Sequence, residues 1–321
     1  MTLKRHVKRA VFASGALNLY RRAALSDTLT VAMFHRVMPA SDPRFNAADR
    51  AYTMRLDVFE GCLQFFGDHY HVVGLDDVEA AAAGDRALPR HALLITFDDG
   101  WEDNARYALP ALAQRGMKAV VFVATDAMTS DLTLWTDVAA CVSRALKNAG
   151  TPSEHASVET LQAWLKALPP SARNGWLEAA VAAQGERVRP LMMGPDTVRT
   201  LIDSGVTVAA HGASHTPLTE VADLAGELAR AKRDLETWTG KPARALAYPH
   251  GRHSADIVAT VSSAGFALQF TSEPHLNRLA AGRPLSPVFG RLDIPEAEIV
   301  DKESRFDPER LAYWLTMRPV R

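Results

Sequence analysis

The chain has 321 residues, 47% of them hydrophobic and 23% charged, and a formal net charge of -1. That balance suits a soluble globular chain with a substantial core and excludes a disordered or fibrous one. It also argues against a general nucleic-acid binder, which needs a basic excess for phosphate contacts, so no nucleic-acid partner is expected.

The charge is uneven. Lys4, Arg5, Lys8, Arg9, Arg21 and Arg22 crowd the first 22 residues with no acid among them, which leaves the remainder acidic. Residues 1–28 are read as a basic N-terminal helical segment. Within it, 11–20 (VFASGALNLY) is too short and too polar to span a bilayer, which takes roughly 20 apolar residues, and its likeness to a cleavable signal is superficial. A basic amphipathic segment suits peripheral contact with an anionic membrane; a solvated helix packed on the body is the other reading. The expected location is cytoplasmic or peripheral to the inner membrane face. Cys62 and Cys141 stand alone without CxxC spacing, so neither a disulfide framework nor a cysteine-ligated zinc site is available.

Residues 29–34 (LTVAMF) read as a buried strand that stops at His35 and Arg36. Residues 57–67 place Phe59, Leu63 and Phe66 at helical spacing; 70–75 reads as a short strand and 76–83 as an alanine-rich helix ended by Gly84. Strand 93–97, helix 104–115 closed by Gly116, and strand 118–124 (KAVVFVA) follow. Strand signals then vanish, and a helical insertion at about 130–195 carries Trp135, Trp164 and Trp176. Alternation resumes with a short helix 197–204, strand 206–210 (VTVAA), a long helix 218–238, strand 243–247, helix 255–264, strand 267–271 and a last strand 288–294. Uniformly apolar strands alternating with helices predict an α/β fold with a parallel sheet, either a β/α barrel or a doubly wound sheet, in one domain at 29–321.

Chemistry concentrates where strands end. The run 92–100 (ALLITFDDG) stops at Asp98 and Asp99; adjacent strand residues face opposite ways, so one carboxylate can meet a metal and the other a reacting water, although Asp and Gly also simply favour turns and caps. Strand 206–210 runs into HGASH, with His211 and His215 four apart. Two imidazoles at that spacing can converge on one ion, and no Glu stands between them as the helical HExxH metalloproteases require. Chance spacing or helix capping is the competing explanation. Asp99, His211 and His215 together make a two-histidine, one-carboxylate set of the kind that leaves positions open for water and substrate on a divalent metal.

TFDDG at 96–100, HGASH at 211–215 and AYPHG at 247–251, in that order, resemble the polysaccharide deacetylase family, the carbohydrate esterases with a NodB homology domain. The resemblance spans roughly residues 29–295. It implies a deformed (β/α)7-type barrel and metal-dependent removal of acetyl groups from an N-acetylated polysaccharide or lipid-linked sugar, in exopolysaccharide or cell-envelope synthesis. It makes Asp98 the general base, makes Asp99, His211 and His215 the ligands of a divalent ion, zinc, and gives the His250 backbone N–H to an oxyanion hole.

The third motif departs from the family pattern, which places an Arg where this chain has Ala247 and an aromatic where it has His250. Arg291, in GRLDIP, is the expected replacement partner for Asp98. For the general acid, His275 is nearest by position to the family's late His, while His250 and His253 flank the third motif. His35, in MFHRV, resembles the YHxV start of a branch linked to exopolysaccharide synthesis and is placed on the rim as a substrate contact. Trp101 and Tyr248 are expected to pack on sugar rings, or else in the core. A same-fold hydrolase of a non-sugar C–N bond and a non-catalytic glycan-binding relative are the alternatives.

Overall fold

The computed structural model describes residues 25–46, 48–129, 135–148, 157–184, 191–279 and 286–319. All but the last residues of the basic segment 1–28, and parts of the insertion at 130–195, lie outside the described residues. Among the described residues no helix is long and apolar enough to cross a membrane.

The central strands are β1 (Thr28–Phe34), β4 (His71–Val73), β5 (Ala92–Phe97), β6 (Ala119–Val123), β7 (Val206–Ala210), β8 (Ala245–Ala247) and β9 (Leu268–Phe270). The expected last strand is split into β11 (Val288–Phe289) and β12 (Leu292–Asp293). A minor parallel pair, β2 (Arg36–Met38) and β3 (Thr53–Arg55), and the short antiparallel β10 (Asn277–Arg278) complete the set. The sheet runs β10-β1-β5-β6-β7-β8-β9-β11, with β12 on β1 and β4 on β5. Because β11 lies parallel on β9 while β12 lies parallel on β1, residues 288–293 join the last barrel strand to the first and nearly close the sheet. This is the deformed (β/α)7-type barrel that the motif resemblance implied, one of the two architectures that the strand alternation left open.

Helices α1 (Leu56–His69), α2 (Leu75–Ala83), α3 (Leu109–Ala113), α4 (Thr125–Thr129), α5 (Trp135–Asn148), α6 (Val158–Ala167), α7 (Pro170–Gln184), α8 (Pro195–Leu201), α9 (Leu224–Thr239), α10 (Ala255–Ser263), α11 (Glu296–Ile299) and α12 (Pro308–Met317) follow in chain order. Helix α1 buries Val58, Phe59, Cys62, Leu63, Phe65 and Phe66, and Phe59 meets Phe34 of β1 edge-on at 5.2 Å. Helices α5, α6 and α7 form their own small core around Leu161, Leu165 and Leu177, in which Trp164 packs on Trp176 at 5.3 Å. Residues 191–194 that follow are not helical, and Met192 forms a β-bridge with Trp101.

Strand pleating sorts side chains into two layers. Leu29, Val31, Leu94, Val120, Phe122, Ala209, Ala247, Phe270 and Phe289 pack on one another as the barrel interior, while Ala32, Phe34, Leu93, Ile95, Phe97, Val121 and Ala210 join the core beneath the helices. The small alanines of β7 and β8 leave space that Phe122 and Phe270 fill, their rings 5.1 Å apart.

Two helical elements also differ from expectation. Residues 104–115 are not one regular helix: Asn104–Ala108 form a wide π turn before α3. Pro110 has no N–H to give to the carbonyl of Arg106, which removes a regular helical bond at that point. The long helix begins at Leu224 rather than 218, because Asp223 caps it by accepting the Gly226 N–H at 2.9 Å.

Candidate active site

Register brings the strand-end residues to one rim. Phe34 pairs with Phe97, so His35 leaves β1 where Asp98 leaves β5, and the Asp98 N–H donates to the Phe34 carbonyl at 3.0 Å. Val123 pairs with Ala210, so His211 emerges beside the end of β6. Asp98 shares the parity of Ala92 and Leu94, and His211 that of Ala209; both side chains continue the inward-facing rows.

The adjacent acids part company. Asp98 takes a bidentate pair from Arg291, Nη1 to Oδ1 at 2.5 Å and Nη2 to Oδ2 at 2.7 Å. Both groups are buried, and the guanidinium lies 5.4 Å over Phe122 while its Nε donates to the Thr271 carbonyl at 3.1 Å. Burial alone would raise the Asp98 carboxyl; the Arg291 charge and its hydrogen bonds outweigh it and hold the carboxyl below its ordinary range. Asp99, by contrast, turns to the histidines, with Oδ1 3.1 Å from His215 Nε2 and 3.6 Å from His211 Nε2. Its other oxygen accepts the Trp101 indole N–H at 2.9 Å. Burial again pushes upward, and the hydrogen bond and charge of His215 keep Asp99 well below the usual carboxylate range.

These three residues fit a divalent cation. Each offers one ligand atom, and the atoms lie within 4.8 Å of one another. The His211 Nδ1–H donates to the Ala247 carbonyl at 2.9 Å, which fixes the tautomer and leaves the Nε2 lone pair facing Asp99. Burial drives the His211 imidazole down to about 4, so it is neutral at neutral pH with its lone pair available.

Local backbone strain is concentrated here. Asp99, His215 and His250 have φ of 76°, 59° and 56°, a left-handed region that non-glycine residues seldom occupy. At Gly100, φ is 89° and an added Cβ would lie 2.9 Å from Val123 Cγ1, so only glycine allows the chain to turn there. The His211–His215 loop is clamped by the buried Glu227 of α9. Its Oε1 accepts from the N–H groups of Ala213 and Ser214 at 2.8 and 2.7 Å, and its Oε2 accepts from Arg230 at 2.6 Å.

The other expected residues divide. His250 lies on the rim with its ring 4.9 Å from that of His215, and burial together with the His215 charge lowers its pKa. His35 is half-buried at the end of β1, level with Asp98. His275 lies against Gly290, on the return from β9 to β10, with Nδ1 3.9 Å from the largely exposed side chain of Glu273. His253 stacks on Tyr248 at 5.2 Å. Trp101 and Tyr248 require correction as sugar contacts: they are 1% and 0% accessible, one spent on Asp99 and the other donating its hydroxyl to Gln269. Their indole and phenol heads have buried partners, so the rings are core beneath the rim.

Two residues were not singled out from the sequence. Asp293 sits next to the Arg291–Asp98 pair, its carboxyl pushed up by burial against the pull of His35; as an acid ending a strand in GRLDIP it obeys the same rule as Asp98. Tyr52, 51% exposed, rests its ring 4.8 Å from that of His35. It belongs to the stretch between β2 and β3, where no periodicity marks it.

A parallel barrel carrying, on the C-terminal rim, a two-histidine, one-carboxylate set beside an Arg-paired second carboxylate defines a hydrolase of the α/β-barrel class. The family model for polysaccharide deacetylase matches residues 85–268, and the chain belongs to that family. It is a polysaccharide deacetylase, a hydrolase of acetylated glycans. No curated protein sequence matches the chain. Solved structures share the fold. The Streptococcus pyogenes deacetylase PplD, in complex with acetate, is 17% identical with a TM-score of 0.60, over 91% of this chain and 99% of that one. IcaB from Ammonifex degensii is 20% identical with a TM-score of 0.59, over 90% and 97%. A de-N-acetylase from Aggregatibacter actinomycetemcomitans is 18% identical with a TM-score of 0.55, over 83% and 94%.

Proposed function

We propose that this deacetylase is zinc-dependent and removes N-acetyl groups from an N-acetylated glycan or lipid-linked sugar of exopolysaccharide or cell-envelope synthesis. The observation that carries the reading is the divergence of Asp98 and Asp99, one held by Arg291 and the other facing His211 and His215. A glycan-binding relative would have no use for that division. Asp99, His211 and His215 would hold the zinc, which when bound supplies a Lewis acid that acidifies water and polarises the acetyl carbonyl.

The chain's own groups then have distinct tasks. Asp98 Oδ2, 3.9 Å from His211 Nε2, retains a lone pair beyond those used by Arg291 and accepts the proton of the attacking water. Arg291 keeps that carboxylate ionised and fixes its plane. The His250 backbone N–H, carried on the turn beside His215, donates to the oxygen that becomes negative as the carbonyl turns tetrahedral. We assign the leaving amine's proton to His35 rather than to His275, because His35 leaves β1 level with Asp98 at the strand end, whereas His275 lies against Gly290 beside the exposed side chain of Glu273. The sugar face is assigned to Tyr52, whose ring is open to solvent above His35. Tyr52→Ala is expected to raise KM for a chitooligosaccharide several-fold with kcat little changed, which steady-state kinetics would check.

The test of the reading is acetate release from chitooligosaccharides with parallel metal analysis. Chelation should abolish release and added zinc restore it, and His211→Ala should lose both zinc and activity. Undiminished release by chelated protein would sink the zinc mechanism.

A further inference from the structure

We propose that Trp101 is a positioning residue for Asp99: its indole N–H holds Oδ2, so that the acid presents one oxygen, Oδ1, to a divalent cation, and Arg36 with Asp103 holds the indole in that pose. The inference rests on the reading of Asp99, His211 and His215 as the ligand set. Trp101 Nε1 lies 2.9 Å from Asp99 Oδ2, whereas Oδ1 faces the two histidine Nε2 atoms at 3.1 and 3.6 Å. A carboxylate left to itself can offer a cation either oxygen or both; an indole is a donor only and engages one.

The indole is itself fixed from two directions. On its face lies the Arg36 guanidinium, with Cζ 4.5 Å from the ring centroid. Arg36 is aimed by Asp103, whose Oδ2 accepts from Nε and Nη2 at 2.9 and 2.7 Å and whose Oδ1 takes the Val37 N–H at 3.2 Å. Arg36 and Asp103 are buried, so the pair is shielded from solvent. The Trp101 backbone is pinned by a seam with the end of the insertion: Trp101 bridges Met192, the Met193 N–H donates to the Gly100 carbonyl at 2.9 Å, and the Glu102 N–H to the Leu191 carbonyl at 2.8 Å. Arg36 directly follows His35, and Asn104 Nδ2 donates to the His35 carbonyl at 2.8 Å. The segment that orients the cation ligand thus also grips the strand end carrying the assigned proton donor.

The experiment is a zinc-affinity cycle on the full chain, stripped of metal and titrated against a chromophoric chelator, for wild type, Trp101→Phe, Asp99→Ala and the double variant. Trp101→Phe should weaken zinc binding about 10- to 100-fold, and the same change should have almost no effect in the Asp99→Ala background, because the indole acts through that acid. Equal losses in both backgrounds, or none in either, would overturn the inference while leaving the metal set intact. A wild type that binds no zinc would overturn the metal reading and this inference with it. If Trp101→Phe does not fold, wild type alone decides: the most slowly exchanging indole N–H resonance should move when zinc is added, and six unmoved indoles count against the proposal.

Discussion

Asp98→Asn is expected to lower acetate release by about 10²- to 10⁴-fold while zinc content stays at the wild-type level. The amide keeps the shape of the side chain but accepts no proton from water, and Asp99, His211 and His215, the proposed cation ligands, are untouched. The same substitution should destabilise the fold. Arg291 is 1% exposed and would be left with its charge unpaired, a loss of about 3–5 kcal/mol for a buried pair broken on one side. Stability and catalysis are separated by Asp98→Asn combined with Arg291→Met, which should recover much of the lost stability and none of the activity. Denaturant titration beside the acetate assay checks both. The pH dependence has a definite sign. The folded Asp98 carboxyl lies below its unfolded value of 3.8, so its contribution to stability is present above that value and is lost as pH falls through the folded pKa. In Arg291→Met alone, burial acts unopposed by the guanidinium, and the acid limb of kcat/KM should move up by about 1–3 pH units.

How far the site could be read in the sequence follows from where each residue lies on the fold. Asp98, Asp99, His211 and His215 were legible because each sits within a few residues of an apolar strand's end, and a parallel barrel collects such ends on one rim. Arg291 was legible as the partner for Asp98 by its position at a strand end, but not the device that delivers it. An unbroken strand 288–294 would run on past the site, whereas the chain interrupts its pairing at Gly290 and Arg291. Gly290 itself has the His275 ring where a Cβ would stand, at 2.7 Å, so the break is built around a residue that admits a close neighbour. Trp101 and Tyr248 had two placements open, sugar face or core, and the structure takes the core. Proximity to a motif in sequence says nothing about which side of the strand end an aromatic occupies, and both carry polar heads that found buried partners in Asp99 and Gln269. Tyr52 left no trace in the pattern, since irregular backbone has no period; its place above His35 follows from the β2–β3 pairing of Arg36 with Thr53. Glu227 was equally silent, being one acid on an amphipathic helix until the fold sets it beneath the His211–His215 loop.

His35→Gln is expected to slow amide hydrolysis by about 10²- to 10³-fold and to leave the hydrolysis of an activated acetate ester nearly unchanged. The contrast follows from the leaving group. An amine departs from the tetrahedral centre only if its nitrogen is protonated, whereas a nitrophenolate leaves unaided. A residue that only positioned substrate or supported the rim would affect both reactions, and Asp98→Asn, which removes the base needed for attack, should reduce both. Glutamine fills roughly the space of the imidazole beneath Tyr52 and can keep a hydrogen bond to neighbours, but transfers no proton at neutral pH. His275→Gln supplies the comparison. On the return beside the exposed side chain of Glu273, its loss should leave amide hydrolysis at the wild-type rate. If His275→Gln, and not His35→Gln, abolishes amide hydrolysis while sparing the ester, the proton donor has been assigned to the wrong histidine.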